Sequence, residues 1–239
     1  MRTIVITLAV LALAAAAPAA EDLPTFLKAA TAAARPTGPV RADGTLVTTS
    51  PEGTVKDQIA IIYRPNGDAY VELKDAGTRA LLRGDGSAAL LVPQTGTSSQ
   101  TFALDAALNN SEFTREDLRA FNAEQYTSPT IVDRRDGEVT VSVTPNPSQY
   151  TLQVITFDTD KKVPLLVKNY KDTISNLVKM RRAHGFTSAA GTWLPGEIVM
   201  ENFPMRVTST MTLRWKPTDD VPALFDPAAL GKPSTLTWP

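Results

Sequence analysis

The sequence predicts a mainly β protein of the α+β kind. Its centre is one strongly curved antiparallel sheet of about ten to twelve strands, with an N-terminal and a central helix over the concave face. Three observations predict it. Beyond residue 40 most of the chain alternates apolar and polar residues along short segments rich in Val, Ile, Tyr and Thr. Those segments are separated by Gly, Pro, Asn and Asp turns at regular spacing, the pattern of an antiparallel meander. Only residues 22–34 and 111–126 carry helical signals of any length. A sheet of that width cannot stay flat and must curl or close, so its apolar face becomes the lining of a concavity.

The elements follow in order. Residues 1–20 read MRTIVITLAVLALAAAAPAA, with Arg2, an apolar run and a small-residue end at Pro18-Ala19-Ala20. This is the layout of a cleavable secretory signal peptide, cut after Ala20 and leaving residues 21–239 as one domain outside the cytoplasm. The apolar run is too short for a spanning helix. A lipid-anchored form would need a cysteine, and the chain has none. Asp22 then caps a helix, Pro24 sits in its first turn, and Leu23, Phe26, Leu27 and Ala30 share one face. Arg35-Pro36-Thr37-Gly38-Pro39 ends it.

Strands are predicted at 44–49, 55–63, 69–73, 79–82 and 87–92. The turns between them include Pro65-Asn66-Gly67-Asp68 and Gly84-Asp85-Gly86, and Pro93-Gln94-Thr95-Gly96 follows the last. At 111–126, Thr114 and Asp117 form a capping box, and Leu118 and Phe121 carry the central helix. Strands resume at 130–134, 138–144, 149–157, 163–170, 174–182, 192–202 and 206–215. Val139, Val141 and Val143 alternate cleanly with Glu138, Thr140, Ser142 and Thr144. Val207, Met211, Leu213 and Trp215 alternate with Arg206, Thr208, Thr210, Thr212 and Arg214. Residues 221–230 add a short C-terminal helix around Pro227.

Composition narrows the chemistry. Hydrophobic residues at 43% and charged residues at 21% describe an ordinary globular chain. A formal charge of −1 gives no electrostatic case for nucleic acid. The absence of cysteine removes disulfides, thiol catalysis and thiolate metal sites, and one histidine, His184, removes multi-histidine metal sites. No G-x-S-x-G spacing accompanies His184, which reads as a turn residue. Glu112, Glu116 and Asp117 read as acidic residues in a first helical turn, though a paired-carboxylate site is the other reading of them. Neither Gly84-Asp85-Gly86 nor the 93–96 turn opens a helix, so neither is a phosphate loop. No enzyme activity, cofactor or metal is expected.

The run Asn110-Ser111-Glu112-Phe113-Thr114-Arg115-Glu116-Asp117-Leu118 resembles the G-S-D-F-[ST]-Y-E-D-L segment of the outer-membrane lipoprotein-sorting family, relatives of the periplasmic carrier LolA. Gly191-Thr192-Trp193-Leu194-Pro195 and Leu224-Phe225-Asp226-Pro227-Ala228-Ala229-Leu230 fit the same pattern more loosely. Phe113, Asp117 and Leu118 are the structural residues of the motif. One departure is that the basic run many relatives carry before this helix is missing from residues 88–96.

The resemblance implies a half-open barrel with helices as a lid over a hydrophobic cavity, LolA/LolB-like in form. It implies a periplasmic carrier for a lipid, or for the acyl chains of a lipoprotein. It further implies an inner-membrane exporter as donor and an outer-membrane acceptor. Alternation makes Val139, Val141, Val143, Ile198, Met200, Val207, Met211, Leu213 and Trp215 the candidate cavity lining, and a dry filled core is the other arrangement those residues allow. The alternative function is a non-enzymatic accessory subunit of an envelope transport complex, binding a protein partner through an edge strand or loop. A hydrolase of envelope polymers is the third.

Overall fold

The computed structural model describes residues 21–92 and 100–238. The leader segment and the turn at 93–96 lie outside the described residues. Helix α1 (Leu23–Ala33) starts as its sequence dictates. Asp22 accepts the Thr25 amide at 3.0 Å and the Thr25 hydroxyl at 2.9 Å, and Pro24 occupies the first turn. Phe26, Leu27 and Ala30 are its buried face.

The strands are β1 (Val40–Ser50), β2 (Gly53–Tyr63), β3 (Ala69–Leu73), β4 (Arg79–Leu82), β5 (Ala88–Leu91) and β6 (Gln100–Thr101), followed by β7 (Tyr126–Arg135), β8 (Glu138–Pro145), β9 (Leu152–Asp158), β10 (Val163–Tyr170) and β11 (Leu177–His184). After a side hairpin of β12 (Thr187–Ala189) and β13 (Thr192–Leu194) come β14 (Glu197–Asn202) and β15 (Val207–Pro217). Thirteen of these form one antiparallel sheet, in the order β6-β5-β4-β3-β2-β1-β15-β14-β11-β10-β9-β8-β7. The outer strands β6 and β7 do not pair, so the sheet is open. Two meanders, β1–β6 and β7–β14, are joined where β15 lies between β1 and β14.

The fold class is the expected one, with three corrections. The strand count exceeds the expected range because β6 and β12 are too short to show alternation. The predicted 192–202 strand also breaks at Pro195-Gly196, where Gly196 N–H turns back to the carbonyls of His184 and Gly185, both at 3.0 Å. The second correction is the central helix, which does not form. The Thr114–Asp117 capping contact is present: Asp117 Oδ2 accepts the Thr114 amide at 2.9 Å and the hydroxyl at 2.7 Å. The turn does not propagate: Leu118 N–H reaches Thr114 O and Arg119 N–H reaches Glu116 O, and among the described residues no i-to-i−4 bond follows before residue 125. Arg115 N–H goes to Ala106 O and Glu116 N–H to Leu104 O, while the Arg115 guanidinium binds the carbonyls of Phe102 and Gly86. A single turn results, with a bridge between Ala107 and Thr114 and one 3-10 turn at Ala123–Gln125. The third correction is the C-terminal helix, which is two 3-10 turns, Pro222–Phe225 and Pro227–Ala229, the second capped by Asp226.

Packing explains why the two halves differ in sequence pattern. On the inner face, Ile59, Ile61, Val71, Leu73 and Leu82 pack with Phe102, Leu108, Phe113 and Leu118 of the long connection. On the outer face, Ile62, Tyr70, Leu81 and Leu91 pack under Leu224, Phe225 and Leu230. Strand β3 is therefore buried on both sides and reads as a continuous buried run. Strand β8 has one buried face, under α1, and alternates.

Candidate functional site

The inner face of the sheet, α1 and residues 113–126 enclose a cavity of about 150 Å³. Its wall draws on β2 (Ile61, Tyr63), β9 (Gln153, Ile155), β10 (Val163, Val167), β11 (Arg181), β14 (Ile198) and β15 (Met211, Leu213, Trp215). In the sheet order β2 and β9 are six strands apart. In a flat sheet they would stand roughly 29 Å from each other, so lining one cavity requires the sheet to curl around it. Residues 116–121 and Phe186 complete the enclosure.

One end of the cavity is aromatic. Tyr63 stacks on Trp215, with ring centroids 5.5 Å apart and 13° between planes. Trp215 donates its indole N–H to Pro195 O at 2.7 Å, and Tyr63 donates its hydroxyl to Leu118 O at 3.3 Å. The loop is thereby tied to the wall at a residue that also lines the cavity. Opposite, Phe121 stacks on Tyr126 at 5.5 Å. Burial raises the Tyr63 phenol above its ordinary value, and burial with the nearby Glu116 pushes Tyr126 to about 12.

The remaining wall is polar. Glu116 accepts the Ser148 hydroxyl at 2.6 Å, while its second oxygen and the Gln153 carbonyl oxygen are buried without partners. Burial holds the Glu116 carboxyl above its ordinary value, with Asp117 adding to the effect. Asp117 is bound by Lys179 at 2.7 Å. Arg181 is half-buried on the cavity wall, and its Nε is buried without a partner. Burial lowers the Arg181 guanidinium from its ordinary value, opposed by Asp117, Tyr63 and Tyr126.

The nine residues expected to line a cavity separate into three groups. Ile198, Met211, Leu213 and Trp215 lie on its wall. Val139, Val141 and Val143 point to the same inner face but are covered by Phe26, Leu27 and Ala30 of α1, so they are core packing. Met200 is buried in the core around Phe113, and Val207 is half-buried near the end of the seam. Phe113, Asp117 and Leu118 of the motif all border the cavity. His184 is exposed at the end of β11. Arg181 was missed: it reads as half of an Arg181-Arg182 pair at a strand end. Its inward direction follows from its register opposite Val167 and Met200.

Among the described residues no three His, Asp or Glu side chains converge as a metal site, and no helix is long and apolar enough to cross a membrane. Three solved structures share this architecture. A domain from Vibrio parahaemolyticus assigned to outer membrane lipoprotein sorting superposes with a TM-score of 0.75 at 17% identity, over 86% of this chain and 97% of that one. A DUF1329 family protein from Desulfovibrio piger gives 0.71 at 15% identity, over 85% and 98%. A LolA superfamily protein from Nitrosomonas europaea gives 0.66 at 17% identity, over 85% and 96%. The chain thus shares the fold of these three structures, with its own sheet open and curled around the cavity. The chain belongs to the family whose model, described as "uncharacterized protein", matches residues 72–232. No curated protein matches the sequence.

Proposed function

We propose that this protein is a carrier that shields the acyl chain of a lipid or lipidated protein from water in the cell envelope, with residues 21–239 as its working domain. The observation that carries the reading is the cavity, whose wall mixes Ile61, Ile155, Ile198, Met211 and Leu213 with the stacked Tyr63 and Trp215. The secretory layout of residues 1–20 and the shared fold support an envelope location. Each methylene moved from water to such a wall contributes about 0.8 kcal/mol, so affinity needs no fixed polar contact.

A cavity near 150 Å³ has the size that holds a benzene-sized group. A longer chain requires residues 118–122 to swing outward. Swinging it out would break the Tyr63–Leu118 hydrogen bond and the Ala123 N–H bond to Thr31 Oγ1 at 2.9 Å, and would lift Leu118 and Phe121 from their packing. Opening it exposes the cargo, which is what transfer to an acceptor demands.

Native mass spectrometry of protein purified from its own envelope, with organic extraction of what it holds, tests the reading. The expected result is a discrete lipid adduct that Leu213→Asp weakens in protein still folded by circular dichroism. An apo mass that stays unchanged after incubation with envelope lipids overturns it.

A further inference from the structure

The cavity wall contains a cation that the protein itself does not hydrogen-bond. Arg181 projects from β11 among Tyr63, Tyr126 and Trp215, and among the described residues no hydrogen bond or ion pair engages its guanidinium. A guanidinium stays charged in proteins and presents five donors. Its Nε is buried without a partner, which is costly unless something supplies an acceptor. The nearby carboxylates do not hydrogen-bond it: Asp117 Oδ2 is taken by Lys179 and Thr114 and acts on Arg181 only through its charge, and the one oxygen of Glu116 that is engaged accepts from Ser148. The cavity therefore combines an apolar end with one guanidinium that lacks a hydrogen-bond partner.

We infer that the cavity takes a single-chain anionic amphiphile, its carboxylate paired with Arg181 and its hydrocarbon against Met211, Leu213 and Trp215. This rests on the carrier reading and narrows it to a charged cargo. A carboxylate fits better than a phosphate on two grounds. Its two oxygens match the planar fork of a guanidinium. A second negative charge would also meet Asp117 and Glu116 on the same wall.

The test compares dodecanoate, its methyl ester and dodecyl phosphate by titration calorimetry on the mature protein, wild type and Arg181→Met. Dodecanoate is expected to bind at least about tenfold tighter than the ester, because the ester loses a charge-assisted pair. Arg181→Met is expected to remove that advantage, and Arg181→Lys to restore part of it. Dodecyl phosphate as the dianion is expected to bind more weakly than dodecanoate. Equal binding of acid and ester to wild type overturns this inference and leaves the carrier reading standing. Binding of neither overturns both, and tighter binding of the phosphate overturns the choice of a carboxylate. The ester comparison needs no substitution, so it decides the matter even if Arg181→Met does not fold.

Discussion

Lys179 Nζ lies 2.7 Å from Asp117 Oδ2, and the two side chains are only 4% and 7% exposed. This pair fastens the long connection at its one helical turn to strand β11, beside the cavity. Asp117 also accepts both polar hydrogens of Thr114, so one carboxylate shapes the turn and anchors it.

Removing one partner leaves the other charged and buried. Lys179→Met is expected to cost about 3–5 kcal/mol in urea unfolding, and Asp117→Ala a similar amount. The double variant is expected to cost clearly less than the sum of the two, with a coupling of about 1–3 kcal/mol. Simple additivity in that cycle would show that the pair contributes nothing beyond two independent side chains.

Glu116 gives a pH signature. Its carboxyl is raised from the ordinary value of 4.5, chiefly by burial. The folded protein therefore retains a proton that the unfolded chain has released, and stability falls as pH rises from the unfolded value through the folded one. Glu116→Gln keeps an acceptor for Ser148 and removes the charge. It is expected to flatten that part of the stability profile and raise the melting temperature at neutral pH. A variant profile parallel to wild type through the acidic range would show that Glu116 titrates normally.

Gly44 occupies the seam where β1 meets β15, paired with Leu213. A β-carbon there would collide with the backbone carbonyl of Thr212. Backbone cannot rotate away as a side chain can, so Gly44→Ala is expected to destabilise by more than about 2 kcal/mol. A change under about 0.5 kcal/mol in a thermal or urea melt would mean that the seam is more compliant than its geometry indicates.

Much of this was legible in the sequence, and the exceptions are instructive. Val139-x-Val141-x-Val143 and Met211-x-Leu213-x-Trp215 announce half-buried strands, since each has one face on the core and one in water. The cap at Asp22 has only one reading, because a helix with an apolar stripe follows it directly. Thr114 and Asp117 carry the same capping chemistry, yet it closes a lone turn. The difference is that the helical bonds stop at Arg119, with the turn held from the side by the carbonyls of Ala106 and Leu104. No local pattern states that. Similarly, alternation shows that Val139 and Leu213 both face inward. It cannot show that α1 covers the first while the second borders open space. Arg181 is hidden for the same reason: its partnerless position depends on what Asp117 and Glu116 are already bound to.

The seam between β1 and β15 also sets when the fold can be completed. Val40 pairs with Pro217, and nearly the whole described chain lies between them. The first meander can form its hairpins early, but β1 keeps one side unsatisfied until the last strand arrives. Loop closure over such a span is slow, and an unpaired edge is prone to join the wrong neighbour. Synthesis from the N-terminus thus leaves the sheet incomplete until β15 has been made.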